Sequence, residues 1–302
     1  MALHVLDTLH LRRPGIIAAT ALETNDGVAL FDTGAESTFD NVVTALRQLG
    51  IAPEDVRHVF VSHIHFDHAG AAYRFAQTGA TVYVHPRGAA HLIDPTRLIE
   101  SATRIFGADM ERLWGRIGPV PQQNVRVLED GDVVRVSPFV IKAVATPGHA
   151  SHHHVYHWDD IVFGGDVAGV RLGHGPPIPP FVPPELQIES WLESIGKIRA
   201  LKPTDLYLPH FGQVKGRWIP DHLDALEKRV SHWSEWLRDK IHAGLDEQQL
   251  RAEFAEYEHA DLRAWGASET EVEDYETADP SYMAVPAAIR YWKKYHAEAV
   301  RK

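Results

Sequence analysis

Cysteine is absent from all 302 residues. That one absence removes a thiolate metal ligand, a thiol nucleophile and a disulfide framework together. A Gly-x-Ser-x-Gly elbow, a Gly-rich phosphate loop and a dinucleotide-type Gly-x-Gly-x-x-Gly are missing as well, so those rival catalytic frameworks have no support. No apolar run approaches 18 residues, and the opening Met1-Ala2-Leu3-His4-Val5-Leu6-Asp7 has no basic segment leading into an apolar core. No membrane association is expected on these grounds, and the expected location is cytoplasmic. Positive charge is also short: 30 Lys and Arg stand against 41 Asp and Glu, a net −11. A nucleic-acid groove needs a basic stripe to neutralise phosphates, so nucleic acid is not expected as a partner and nuclease activity falls in rank. With 44% hydrophobic and 24% charged residues, the chain has the composition of a globular protein able to bury a large core. One domain plus an extension is expected.

What is present is histidine and aspartate in close order. His63-Ile64-His65-Phe66-Asp67-His68 packs four metal-binding side chains of two chemical kinds into six residues. Imidazole nitrogen and carboxylate oxygen both suit zinc and its first-row neighbours, and four such groups together can begin two adjacent sites. The preceding Val56-Arg57-His58-Val59-Phe60-Val61-Ser62 reads as a buried strand. Beyond its end His63 and His65 share a side at period two, while Asp67 and His68 open a helix.

Four ligands cannot fill two sites, so other strand ends should supply more. Val140-Ile141-Lys142-Ala143-Val144 ends in Thr146-Pro147-Gly148-His149. Ile161-Val162-Phe163 runs into Gly164-Gly165-Asp166, whose glycines let the backbone approach closely. Asp205-Leu206-Tyr207-Leu208-Pro209 closes on His210. Taken singly, His149 and His210 read as turn residues, Asp166 as a turn-capping carboxylate and Asp32 as a cap of its own turn; their order gives them a joint meaning.

The ordered set His63-x-His65-x-Asp67-His68, His149, Asp166 and His210, with the earlier Asp32-Thr33-Gly34 turn after the strand Val28–Phe31, resembles the metallo-β-lactamase superfamily over roughly residues 1–215. The resemblance implies an α+β fold, a four-layer αββα sandwich with metals at one edge between two sheets. It places one metal on His63, His65 and His149 and a second on Asp67, His68 and His210, with Asp166 bridging and Asp32 supporting the metal loop without binding metal. It therefore implies two divalent ions. Zinc is expected, and iron, manganese or cobalt would bind the same donors. Two such ions against Asp67, Asp166 and one shared hydroxide leave about one positive unit. A metal-bridging hydroxide is the implied nucleophile, with Asp67 as the catalytic residue that orients it and passes its proton. The lack of cysteine disfavours the lactamase branches that use a cysteine ligand.

Strands are expected near 3–11, 16–22 and 27–31, a helix from Thr38 to Leu49, and helical structure from about 88 to 117. Strands resume near 124–128 and 132–136, so two similar halves are suggested. The stretch Gly173 to Pro184 is too proline-rich for regular structure. It either walls a substrate pocket with Ile178, Phe181 and Val182 or stiffly connects to the next helix. Arg171 and His174 are candidate substrate contacts on position alone. His152, His153, His154 and His157 are expected mostly on an exposed strand edge, the alternative being groups that support the metal ligands from behind. Ile188, Trp191, Leu192, Ile195 and Ile198 recur at helical spacing, as do Leu223, Leu226, Val230, Trp233, Leu237 and Ile241. The first run reads as a helix packed on the sheet of a catalytic domain 1–215, and the second as the first helix of an added C-terminal extension, 216–302, packed on that domain. Further helices are expected over 246–264 and 284–300, with the acidic stretch Glu269 to Asp279 between them as a solvated loop. Trp233, Trp236 and Trp265 are read as core, with a pocket floor or a homodimer interface as the alternatives.

The function expected is a binuclear metal-dependent hydrolase of a small carboxylic ester, thioester or lactone, closest in broad pattern to the glyoxalase II-like hydrolases. No glutathione-binding residues are recognisable in the tail. Nor does Asp166 lead into the tyrosine common in the lactonase branch, since Val167-Ala168-Gly169-Val170 follows. The alternatives are a phosphodiesterase, for which the same metals serve equally well, and an iron-dependent oxidoreductase, which would not need His68 and His210 as ligands. A binding module on a reused scaffold would be favoured by missing ligands, and none is missing.

Overall fold

The computed structural model describes residues 2–300. Its contacts divide the chain into two compact units, one of residues 1–145 and 152–165, the other of residues 146–151 and 166–302.

Among the described residues the first unit holds ten strands and six α-helices. The strands are β1 (Leu3–Asp7), β2 (Ala18–Thr24), β3 (Gly27–Phe31), β4 (Val56–Phe60), β5 (Thr81–Val84), β6 (Val125–Val127), β7 (Val133–Val136), β8 (Phe139–Ala145), β9 (His154–Trp158) and β10 (Ile161–Phe163). The helices are α1 (Phe39–Gln48), α2 (Phe66–Ala69), α3 (Ala72–Gln77), α4 (Pro86–Ile93), α5 (Thr96–Phe106) and α6 (Met110–Trp114). Strands β1 to β6 form one sheet in sequence order. β1, β2 and β3 are antiparallel, whereas β3 to β6 run parallel through helical crossovers. β7 to β10 form an antiparallel meander.

These two sheets meet through aromatic rings. Phe31 stacks on Phe163 at 3.5 Å, Phe60 meets Tyr156 edge-on at 5.2 Å, and the buried Tyr156 hydroxyl donates to Val61 O at 2.9 Å. Burying each ring stabilises the fold by about 1.5–3 kcal/mol. The outer face of the first sheet is covered by helices whose apolar residues share one side. α1 turns Phe39, Val42, Val43 and Leu46 inward, and they join Phe75, Ala89 and Leu92 against Leu30, Val59 and Val82. Helix, sheet and sheet thus follow one another inside this unit.

β1 stops at Asp7 because Leu9, Leu11 and Arg12 take positive φ values of 51°, 52° and 63°, which no strand accommodates. The helical stretch from 88 to 117 is three helices. Asp94-Pro95 divides the first two, with Asp94 Oδ1 accepting from Thr96 N at 3.1 Å, and Gly107 and Gly115 at φ 53° and 76° end the others. His152, His153 and His154 are buried, not on an exposed edge. β9, which begins at His154, is an interior strand paired on both sides, with β8 and β10.

The second unit contains the hairpin of β11 (Asp205–Leu208) and β12 (Gly212–Lys215) and five helices: α7 (Ile188–Ala200), α8 (Ile219–His242), α9 (Glu247–Trp265), α10 (Glu269–Ala278) and α11 (Ala284–Tyr295). α7 buries Ile188, Trp191, Ile195 and Ile198, and α8 buries Leu223, Leu226, Val230, Trp233 and Leu237. Trp233 is core, 5.3 Å from Phe254; Trp265 is half exposed and lies under Arg229. The acidic stretch from Glu269 is helix α10, not a solvated loop. Ser268 caps it in a reciprocal box with Glu271, acidic groups are favourable in a first turn, and Val272 and Tyr275 are buried. Among the described residues no helix is long and apolar enough to cross a membrane.

Burial of His154 has a measurable consequence. Neither of its ring nitrogens has a hydrogen-bond partner, and desolvation, assisted by His85 and opposed by Asp130 and Asp132, pushes its pKa down to about 3. An unfolded imidazole takes up a proton near pH 6.5, so between about 6.5 and 3 the unfolded state binds the extra proton and stability falls as pH falls. In urea unfolding at a series of pH values, His154→Phe is expected to show a shallower loss of stability from pH 6.5 to 4 than the parent. Parallel slopes would contradict this.

Candidate functional site

Each unit carries its own set of candidate ligands. In the first unit β4, which buries Val56, Val59 and Phe60, leads directly into the buried Val61-Ser62, and α2 starts three residues after His63, so four ligands fall on one short, tightly tied segment. Asp32, at the end of β3, is its anchor. The carboxylate is buried and accepts three hydrogen bonds, from Ser62 N at 2.7 Å and Ser62 Oγ at 2.8 Å and from His68 Nδ1 at 2.9 Å. Asp32 adopts φ 53°, a left-handed conformation that aspartate tolerates better than most residues. The adjoining Thr33 donates from both N and Oγ1 to His68 O, at 2.7 and 2.8 Å.

These contacts decide which nitrogen each histidine presents. Ser62 Oγ spends its proton on Asp32, so it accepts from His63 Nδ1 at 3.0 Å, which leaves the lone pair of His63 on Nε2. His68 donates from Nδ1 to Asp32 and likewise keeps its lone pair on Nε2, 3.2 Å from Asp67 Oδ2. His63 Nε2 and His65 Nδ1 stand 2.9 Å apart. A cation in place of the proton between them would satisfy both lone pairs. The Asp67 side chain is 17% exposed, whereas His68 is fully buried.

In the second unit Asp166 begins a short 3-10 turn, Asp166–Ala168. One carboxylate oxygen lies 3.4 Å from His149 Nε2 and the other 3.6 Å from His210 Nε2. His149 Nδ1 donates to Pro180 O at 2.8 Å, so its Nε2 also keeps the lone pair. Two ligands on one tetrahedral ion at about 2.1 Å stand about 3.4 Å apart. The carboxylate therefore has an oxygen suitably placed beside each of two imidazoles. His210 is buried, and its carbonyl accepts from Arg171 N.

The pocket candidates scatter within this unit. Ile178 and Phe181 are fully buried; Phe181 packs against Trp191 and Trp233, at 5.7 and 6.3 Å, and Ile178 forms a two-bond bridge with Val170. Val182 is half-buried. Arg171 exchanges backbone hydrogen bonds with His210 and Phe211. The His174 side chain is 95% exposed, and its backbone N donates to Glu271 at 2.8 Å, the largest of the contacts that bring the Glu271 pKa down to about 2. Ser62 was not singled out from sequence, although a hydroxyl directly before the first histidine was the available signal. The approach that Gly165 permits is to His153 and Ser62, with which a Cβ there would collide.

The donor chemistry fits divalent metal: His63, His65, Asp67 and His68 in the first unit, and His149, Asp166 and His210 in the second, are histidines and aspartates of the kind that hold such ions. The model of the metallo-beta-lactamase superfamily matches residues 12–210, well over half of the chain, and the chain belongs to that superfamily. It is 29% identical over 174 residues to a metallo-beta-lactamase fold-containing protein of Sulfurisphaera tokodaii, covering 56% of this chain and 66% of that one. It is 30% identical over 189 residues to a hydroxyacylglutathione hydrolase of Maricaulis maris, covering 59% of this chain and 58% of the relative. The chain thus spans less than two thirds of the length of either relative. The structure of a metallo-beta-lactamase family protein from Thermus thermophilus matches 97% of this chain and 93% of its own with a TM-score of 0.69; at 20% identity this likeness shows the fold alone. The fold is the α+β metallo-β-lactamase fold with a helical C-terminal region.

Asp32→Asn tests the anchor. The amide sets an NH2 against groups that themselves donate, so the tautomers of His63 and His68 lose their support. Metal affinity, read by competition with a chromogenic chelator, is expected to fall about 10- to 100-fold. Unchanged affinity would contradict the role given to Asp32.

Proposed function

We propose that the chain is a binuclear metal-dependent hydrolase of a small carboxylic thioester, ester or lactone. The observation that carries the reading is the fixing of the imidazoles before any ion arrives: His63, His68 and His149 each donate from Nδ1 to a protein oxygen and keep Nε2 for a ligand bond. In this reading His63, His65 and His149 would hold one divalent ion, zinc by donor type, and Asp67, His68 and His210 would hold another, with Asp166 shared between the two sets. When bound, such ions lower the pKa of coordinated water towards about 7 and polarise the substrate carbonyl.

The residues of the chain do the rest. Asp67, the most exposed of the acidic ligands, is the carboxylate that orients the attacking water and holds its proton until the leaving group takes it. Asp32 keeps the His68 ring in place and supplies the compensating charge behind it. Cleavage of an acyl bond consumes water and releases an acid with an alcohol or thiol, so no further reactant is needed. A thioester leads the reading because a relative of similar extent is a hydroxyacylglutathione hydrolase. The net charge of −11 weighs against polyanionic substrates.

His65→Ala and Asp166→Ala are each expected to lose bound metal and at least 1000-fold in turnover on the best member of a panel of model thioesters, esters, lactones and phosphodiesters. Elemental analysis and initial rates read both effects. Full activity in both variants would refute the ligand assignment, and a phosphodiester as the best substrate would refute the acyl reading.

A further inference from the structure

The turn that presents Asp166 is only three residues long and cannot fix its own orientation. Two of its carbonyls are held from outside. Trp191 Nε1 on α7 donates to Val167 O at 2.9 Å, and His222 Nε2 on α8 bonds Ala168 O at 2.8 Å. A carbonyl can only accept, so His222 carries its proton on Nε2. Both side chains are buried. One helical turn beyond His222, Leu226 packs against Gly169, where a Cβ would crowd its methyl groups. Gly169 itself has φ 86° and donates back to Asp166 O at 2.9 Å. α8 lies beyond the end of the matched family region at residue 210.

We propose that His222 is a positioning residue: by holding Ala168 O, this histidine of the C-terminal helical region sets the orientation of the Asp166 carboxylate between His149 and His210. The proposal rests on the metal reading above. Burial brings the His222 pKa down to about 4, so the ring is neutral and donating throughout the neutral range. The His222 Nδ1 has no partner in the structure, so the hydrogen bond to Ala168 is the one polar task of this ring.

The test compares the parent with His222→Gln, His222→Asn and His222→Phe. Each protein is stripped with chelator, followed by circular dichroism and melting without metal, and titrated with zinc alone against a chromogenic chelator. Gln places an amide N–H where Nε2 stood and is expected to keep zinc affinity within about threefold of the parent. Asn, too short to reach, and Phe, with no donor, are expected to lose about 10- to 100-fold. Asn binding zinc as tightly as Gln overturns the proposal, and if its metal-free melting is lower the residue is merely structural. A folded Phe variant with parental affinity also overturns it; should Phe fail to fold, the Gln and Asn pair decides. A parent that binds no zinc refutes the metal reading and this proposal with it, whereas a parent that binds zinc with all variants alike refutes only the role of His222.

Discussion

The buried carboxylate of Asp32 is the constraint from which the metal loop takes its form. An isolated buried carboxylate is costly, and this one is compensated by three donors drawn from a single short segment, Ser62 N, Ser62 Oγ and His68 Nδ1. The compensation and the chemistry are one arrangement, because the same bonds assign the proton positions of His63 and His68. Strain is accepted to make it: Asp32 sits at positive φ, and Thr33 is sewn to His68 O through both its N and its hydroxyl. The sheet behind supplies the rigidity, since β3 and β4, which deliver Asp32 and the histidine run, are adjacent parallel strands whose far faces are packed under α1 and α3.

How much of this could be read from the sequence depended on the range over which each signal acts. The run His63 to His68 was legible because its donors are neighbours in the chain and the strand before them has a local pattern. The helices with apolar residues at helical spacing, α1, α7 and α8, were legible for the same reason. Local charge misled where capping decided: ten residues from Glu269 looked like a solvated loop until Ser268 and Glu271 are seen to cap a helix with Val272 and Tyr275 on its inner side. The three histidines from His152 looked like an exposed edge, but β9 is flanked by strands on both sides. Sequence spacing carries no information about which strand is interior. Trp191 and His222 were invisible as supports because each acts through one long-range hydrogen bond to a backbone carbonyl that has no sequence signature, and Ser62 gave only its place before His63, since its partner Asp32 lies thirty residues away.

The second unit repeats the logic of the first with different parts. Asp166, His149 and His210 come from three separate loops, and each is tied by backbone or side-chain bonds that do not involve the ligand atoms: Pro180 O for His149, Arg171 N for His210, and the α7 and α8 donors for the turn of Asp166. α10 extends the support outward, with the Tyr275 hydroxyl donating to Pro176 O at 2.6 Å and Glu271 accepting from His174 N. The helical tail is thus joined to the segment that follows Asp166. A family core ending near residue 210 would leave that segment with fewer supports.

The proposed function requires these preset imidazoles and carboxylates to hold a pair of divalent ions. Anomalous diffraction from zinc-loaded crystals at the zinc edge tests it most directly. Two peaks are expected, one beside His63 Nε2, His65 Nδ1 and His149 Nε2, the other beside Asp67, His68 Nε2 and His210 Nε2, with Asp166 shared between them. A single peak, or peaks on other side chains with His68 and His210 turned away, would contradict it.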